Sequence, residues 1–223
     1  MSRIPIRSLS ETVAQRIRDM IRRGVLKKGD RIVEKQLCDA LGVSRTPLRE
    51  ALRILKSEGL IDLVPNKGAH VAQPSMQDIR ELFEVMSILE GACARTASEK
   101  MNEADFARLV KLHQKLEKHF EKKDHEKYLE VNHKFHSLIQ EIAGNKLFNE
   151  ILGGLRQKIL LYRQRQLFQP DRFQASMEEH RWLLEALRNR DADSVESLMK
   201  THLMKQCEAL RTLYEEAGGH ADS

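Results

Sequence analysis

EKQLCDALGVSRTPLREALRILKSEGLI, residues 34–61, decides how the N-terminal third of this chain folds. Two helical patterns lie in it, separated by a sharp break. In the first, Leu37 and Leu41 recur at a step of four and are expected to be buried, and Gly42 follows as a left-handed cap. In the second, Leu48, Leu52 and Leu55 make one apolar stripe; Ser44 stands at the N-cap position, Pro47 falls in the first turn and Gly59 ends the run. Working outward, residues 11–23 predict an earlier helix with Val13, Ile17 and Ile21 on one face, and GVLKKGD breaks it with glycines at both ends. Downstream, LIDLV and AHVA predict two short strands joined by PNKG, a hairpin with turn chemistry at its tip.

Helix, helix, turn, helix, hairpin is the layout of a winged helix-turn-helix. The second helix of the pair enters the major groove of duplex DNA in that arrangement, and its N-terminal residues meet base edges. Here those residues are Ser44, Arg45, Thr46 and Arg49. Arginine pairs bidentately with guanine, while hydroxyls reach phosphates or bases. Lys35 on the preceding helix and Asn66, Lys67 and Gly68 at the wing tip are expected over the phosphate backbone.

Composition agrees. Residues 1–73 hold 15 Lys and Arg against 8 Asp and Glu, whereas the remaining residues hold 23 against 25. The basic excess therefore sits in one domain, as expected when only that domain meets phosphate. No Phe, Tyr or Trp occurs before Phe83, which argues against a single-strand binder that stacks bases on rings. No apolar run approaches the roughly 20 residues of a membrane span, and MSRIPIRSLS lacks the apolar core of a secretory signal. The three cysteines, Cys38, Cys93 and Cys207, are odd in number and scattered, so a cytoplasmic location without a disulfide framework is expected.

After the linker, where Ser75 with Asp78 resembles an acidic variant of a capping box, helical patterns alone remain: roughly 77–99, 103–122, 125–142, 146–167, 171–189 and 192–216, with Asn102, Asp124 and Asn145 as N-caps. The expected organisation is a DNA-binding domain over 1–73, a linker over 74–78, an all-helical domain over 79–216 and a frayed tail over 217–223. The fold class is mainly α, a winged helix-turn-helix followed by a six-helix antiparallel bundle.

The SRTPLREAL block and its surroundings resemble the N-terminal domain of GntR-family bacterial transcription regulators. The helical remainder, opening with DIRELFEVMSILEGACARTA, is similar to the FCD effector domain of the FadR branch, and six helices suit its VanR-like subgroup. The resemblance covers about residues 8–215. It implies a homodimer on a pseudo-palindromic operator, and a small-molecule effector, a carboxylate, that releases a repressor. It also implies a divalent metal, zinc or nickel, held in the bundle by Asn132, His136, His180 and His202. Asn132 and His136 share one face of a helix, being four apart. Asn132 departs from the family's more usual aspartate and brings no charge to offset a cation. A second departure is Met86, where relatives with carboxylate effectors often carry arginine; Arg163 and Arg165 are the expected substitutes. His133 is read as surface or supporting, and His113, His119, His125 and His220 as solvated-face or tail residues.

Two other functions compete. In a direct metal sensor, operator binding would track the free ion. A His-cluster metalloenzyme is disfavoured by the absence of HExxH, a nucleophile elbow or a phosphate loop, and by the spacing of Glu178 and Glu179, which directs them away from the face of His180.

Overall fold

The computed structural model describes residues 8–166 and 170–216. The chain divides into two compact units between Pro74 and Ser75.

In the first unit, α1 (Leu9–Arg22) starts where the Ser8 hydroxyl accepts the Glu11 amide at 3.2 Å, and it buries Val13, Ala14, Ile17 and Ile21. These residues pack against α3 (Arg45–Ser57), whose Leu48, Ala51, Leu52 and Leu55 are buried. Each such leucine contributes about 1.5–3 kcal/mol through burial. Between them lies α2 (Glu34–Leu41), ended by Gly42 at φ 67°. Only Leu37 is buried on this short helix, so the expectation for Leu41 is corrected to a half-buried side chain.

The wing has three strands rather than the two expected. Its order is β1 (Arg31–Ile32), β3 (Gly68–Val71), β2 (Ile61–Val64), all antiparallel. A two-residue strand is too short to show alternation, which is why β1 is invisible in the sequence. Pro65, Asn66 and Lys67 form the loop between β2 and β3, with Asn66 in the left-handed region at φ 60° and the Lys67 amide bonded to the Val64 carbonyl at 3.1 Å.

The second unit contains six helices among the described residues: α4 (Met76–Lys100), α5 (Glu103–Glu121), α6 (His125–Ala143), α7 (Lys146–Gln166), α8 (Pro170–Arg188) and α9 (Ala192–Glu216). Residues 76–78 of the expected linker are already helical, because Ser75 and Asp78 form a capping box that starts α4 at Met76. Asn102 and Asp105 do the same for α5, while Asp124 and Asn145 accept backbone amides at the starts of α6 and α7. The long helices α4 and α9 pack along each other, α4 also meets α6 and α7, and α8 lies on α5 and α9. Gly91 allows the close approach of α4 to α9: a Cβ there would lie 2.9 Å from Lys200 Cγ and 3.3 Å from the Glu196 carbonyl. No helix among the described residues is long and apolar enough to cross a membrane.

Candidate nucleic-acid interface and metal centre

In the first unit, Ser44 occupies the N-cap of α3 in an extended conformation, yet its side chain makes no capping bond. That leaves the hydroxyl outside the helix's own network. Arg45 and Thr46 open the helix and are exposed, as are Arg49 and, one turn further, Arg53. Arg53 extends the row that the sequence reading ended at Arg49. Arg49 Nε lies 3.0 Å from Glu34 Oε2 on α2, but its side chain is 62% exposed. An ion pair that open to water is worth about 0–1 kcal/mol and is easily exchanged for phosphate or a base edge. Lys35, Asn66, Lys67 and Gly68 are exposed too.

In the second unit, α6 supplies Asn132 and His136, α8 supplies His180 and α9 supplies His202, all buried. Ring centroids lie 5.5 Å apart for His136 and His180, 5.3 Å for His136 and His202, and 4.7 Å for His180 and His202. Ligand-capable nitrogens of the three lie within 4.8 Å of one another. Residues from three helices, 70 positions apart at the extremes, thus converge at one point in the core.

The three imidazoles are oriented alike. Each is held through Nδ1 by an oxygen: Glu90 Oε2 for His136 at 2.8 Å, the Ser176 carbonyl for His180 at 2.6 Å, and Glu179 Oε2 for His202 at 2.6 Å. An Nδ1–H that donates fixes the tautomer in which Nε2 carries the lone pair. Burial pushes His180 far below the usual histidine range, with the neighbouring His202 adding to the effect. Burial also lowers His202, to about 4, with Glu179 partly opposing the shift. Both rings are neutral near pH 7, the state that binds metal. Among the described residues, His180 Nε2 and Asn132 Oδ1 have no hydrogen-bond partner although both are buried. Such atoms cost about 1–3 kcal/mol each unless something satisfies them. His202 Nε2 lies 2.6 Å from the Gln206 amide nitrogen, which donates to it here. Three imidazoles and one amide oxygen suit a divalent ion of borderline softness, so these residues fit the implied metal.

The carboxylates behind the rings are themselves anchored. Arg156 Nε and Nη2 reach Glu90 Oε1 at 3.1 and 2.8 Å. Arg172 makes a two-pronged pair with Glu179 at 3.0 and 2.7 Å. Burial alone would raise Glu179, but the His202 hydrogen bond and Arg172 outweigh it and keep the carboxylate ionised. Sequence reasoning missed these four residues. Arg172 and Glu179 are seven apart on one helix face, a periodicity that points to contact; Glu90 and Arg156 lie on different helices and carry no such signal. Glu179 does turn from His180, but only to hold His202. His113, read as solvated, is buried, and its Nε2 lacks a partner. Met86 is fully buried and apolar. Arg163, Arg165 and His220 lie outside the residues whose side chains are described.

Comparison with known proteins yields two family matches: "FCD domain" over residues 81–205 and "Bacterial regulatory proteins, gntR family" over residues 9–71. Among curated relatives, the uncharacterized HTH-type transcriptional regulator YdhC of Bacillus subtilis (strain 168) is 27% identical over 202 residues, spanning 90% of each chain. The HTH-type transcriptional repressor RspR of Escherichia coli (strain K12) is 28% identical over 212 residues, 93% of this chain and 92% of that one. The solved structure of E. coli McbR/YncC superposes with a TM-score of 0.75 at 26% identity, covering 93% of this chain and 99% of that chain.

Proposed function

Starting from a chain that belongs to the GntR family of bacterial regulatory proteins and carries an FCD domain, we propose a ligand-responsive repressor, released from its operator by a small organic acid bound at a metal in the helical unit. That the protein is a DNA-binding transcription regulator and not an enzyme follows from the family. The finer reading rests on one observation: three buried imidazoles, each held through Nδ1, converge beside the orphaned carbonyl oxygen of Asn132. A metal held there would supply a positive centre able to take oxygen donors of the effector. Asn132, His136, His180 and His202 would be its ligands, zinc or nickel the fitting ions.

For DNA, Ser44, Arg45, Thr46 and Arg49 would meet the major groove, with Lys35 and the wing residues Asn66, Lys67 and Gly68 on phosphate. A homodimer is supported by apolar side chains open to water on two packed helices of the second unit: Val85 and Ile88 on α4, Leu147 and Ile151 on α7. A second copy would cover them and present two winged units to a pseudo-palindrome in the cytoplasm. The effector then acts by binding the DNA-competent and DNA-incompetent arrangements unequally.

The competing reading is a direct metal sensor. The contact between Gln206 and His202 favours it in one respect, since the amide must leave Nε2 when an ion arrives. Anisotropy of an operator selected in vitro separates the two. Under the effector reading, affinity is unchanged across free zinc concentrations and falls when an acid is added to the metal-loaded protein. Affinity that follows zinc with no acid present would replace it with the sensor.

A further inference from the structure

Gln206 stands one helical turn after His202 on α9 and is only 3% exposed. Its amide nitrogen lies 2.6 Å from His202 Nε2. Glu179 already holds the other nitrogen of that ring, so Nε2 is the atom that His202 has to offer an ion, and Gln206 covers it. An imidazole holds a divalent ion at about 2.0–2.1 Å, nearer than the amide nitrogen sits. An ion on His202 therefore meets the amide N–H groups head on, positive end against positive charge.

The side chain has little room to withdraw. Leu203 and Leu210, three and four residues away on the same face of α9, are buried beside it. Moving the amide among apolar groups without a partner costs about 1–3 kcal/mol. Turning it over about its last side-chain bond costs less, because the two ends of an amide are nearly the same in size and shape. Oε1 then takes the place of the N–H groups, and an opposing donor becomes an oxygen ligand. Asn132, His136, His180 and His202 supply four donors and no carboxylate among them. Four donors complete a tetrahedral zinc site, whereas a fifth suits ions that take more ligands, nickel and cobalt among them.

We propose that Gln206 is a further metal ligand of this site, one that covers His202 Nε2 through its amide nitrogen and turns over to give Oε1 to the ion. The proposal rests on the metal reading above. The ion then has five protein donors, with one amide oxygen from α6 and one from α9.

The test compares wild type, Gln206→Leu and Gln206→Glu by nickel affinity, in competition with a chelator, and by the visible spectrum of the cobalt-loaded protein. Leucine fills most of the space without a donor; glutamate keeps the oxygen and adds charge. Gln206→Leu should bind nickel at least about tenfold more weakly than wild type, since losing a direct ligand costs no less than losing a supporting contact. Its cobalt bands should gain intensity, as expected when five-coordinate cobalt becomes four-coordinate. Gln206→Glu should bind nickel as tightly as wild type or more so, a rescue that neither misfolding nor a merely structural glutamine would give. Equal or tighter nickel binding in Gln206→Leu makes the amide an obstruction and overturns the proposal. An unchanged cobalt spectrum in Gln206→Leu, or weakened nickel binding in Gln206→Glu, overturns it as well. These results leave the metal reading intact; a wild type that takes up neither zinc, nickel nor cobalt overturns that reading and the proposal with it.

Discussion

Replacing Glu179 with Gln removes a metal-tuning contact and a buried counter-charge together. The wild-type carboxylate accepts the Nδ1–H of His202 at 2.6 Å and balances Arg172, a guanidinium only 6% exposed, through two hydrogen bonds, with the half-exposed Lys205 ammonium 3.4 Å from its Oε1. Gln preserves size but removes the charge. Arg172 then stays buried without a counter-ion, for which about 3–5 kcal/mol of lost stability is expected in urea unfolding. The His202 ring also loses its anionic acceptor, which typically weakens a metal site by about 10–100-fold. The double variant Glu179→Gln/Arg172→Met tells the two losses apart. With both charges gone and the methionine filling the space, most of the stability should return, while zinc affinity, measured by competition with a chromogenic chelator, should remain low. Wild-type zinc affinity in the double variant would show that the carboxylate does not tune His202. Wild-type stability in the single variant would show that the buried pair is not the counter-charge system described.

Three further outcomes are expected. Arg45→Ala and Arg49→Ala should each weaken operator binding by about 1–3 kcal/mol if they read bases, and unchanged anisotropy titrations would remove them from the interface. Lys67→Ala should weaken binding to every duplex alike and lower the slope of log affinity against log salt by about one; an unaltered slope means that the wing tip is off the phosphates. Ile88→Glu places a charge in the exposed apolar face of α4 and should convert a dimer to a monomer in light scattering. A persistent dimer would put the interface elsewhere.

The parts of this fold that were legible in the sequence are those governed by short-range physics. Capping boxes at Ser75 and Asn102, the left-handed glycine ending α2 and the leucine stripe of α3 are local features, and they mark element boundaries to within a few residues. Strand β1 is not legible because two residues carry no period, and Leu41 departs from its pattern because an eight-residue helix buries a narrow face. The candidate site divides the same way. Asn132 and His136 announce a shared face through their spacing, but His180 and His202 were joined to them only through family resemblance. Glu90 and Arg156 were hidden altogether, because charged residues on amphipathic helices normally face water and nothing local distinguishes an inward pair.

An ion on the histidine cluster is central to this function. Elemental analysis of untagged protein, purified without added chelator alongside His180→Ala, tests it most directly. Near one equivalent of zinc or nickel per chain in wild type and little in the variant is the predicted result. A wild type that carries no divalent metal, even after loading and removal of excess, would contradict it: the histidine cluster would then be a purely organic pocket or a polar core.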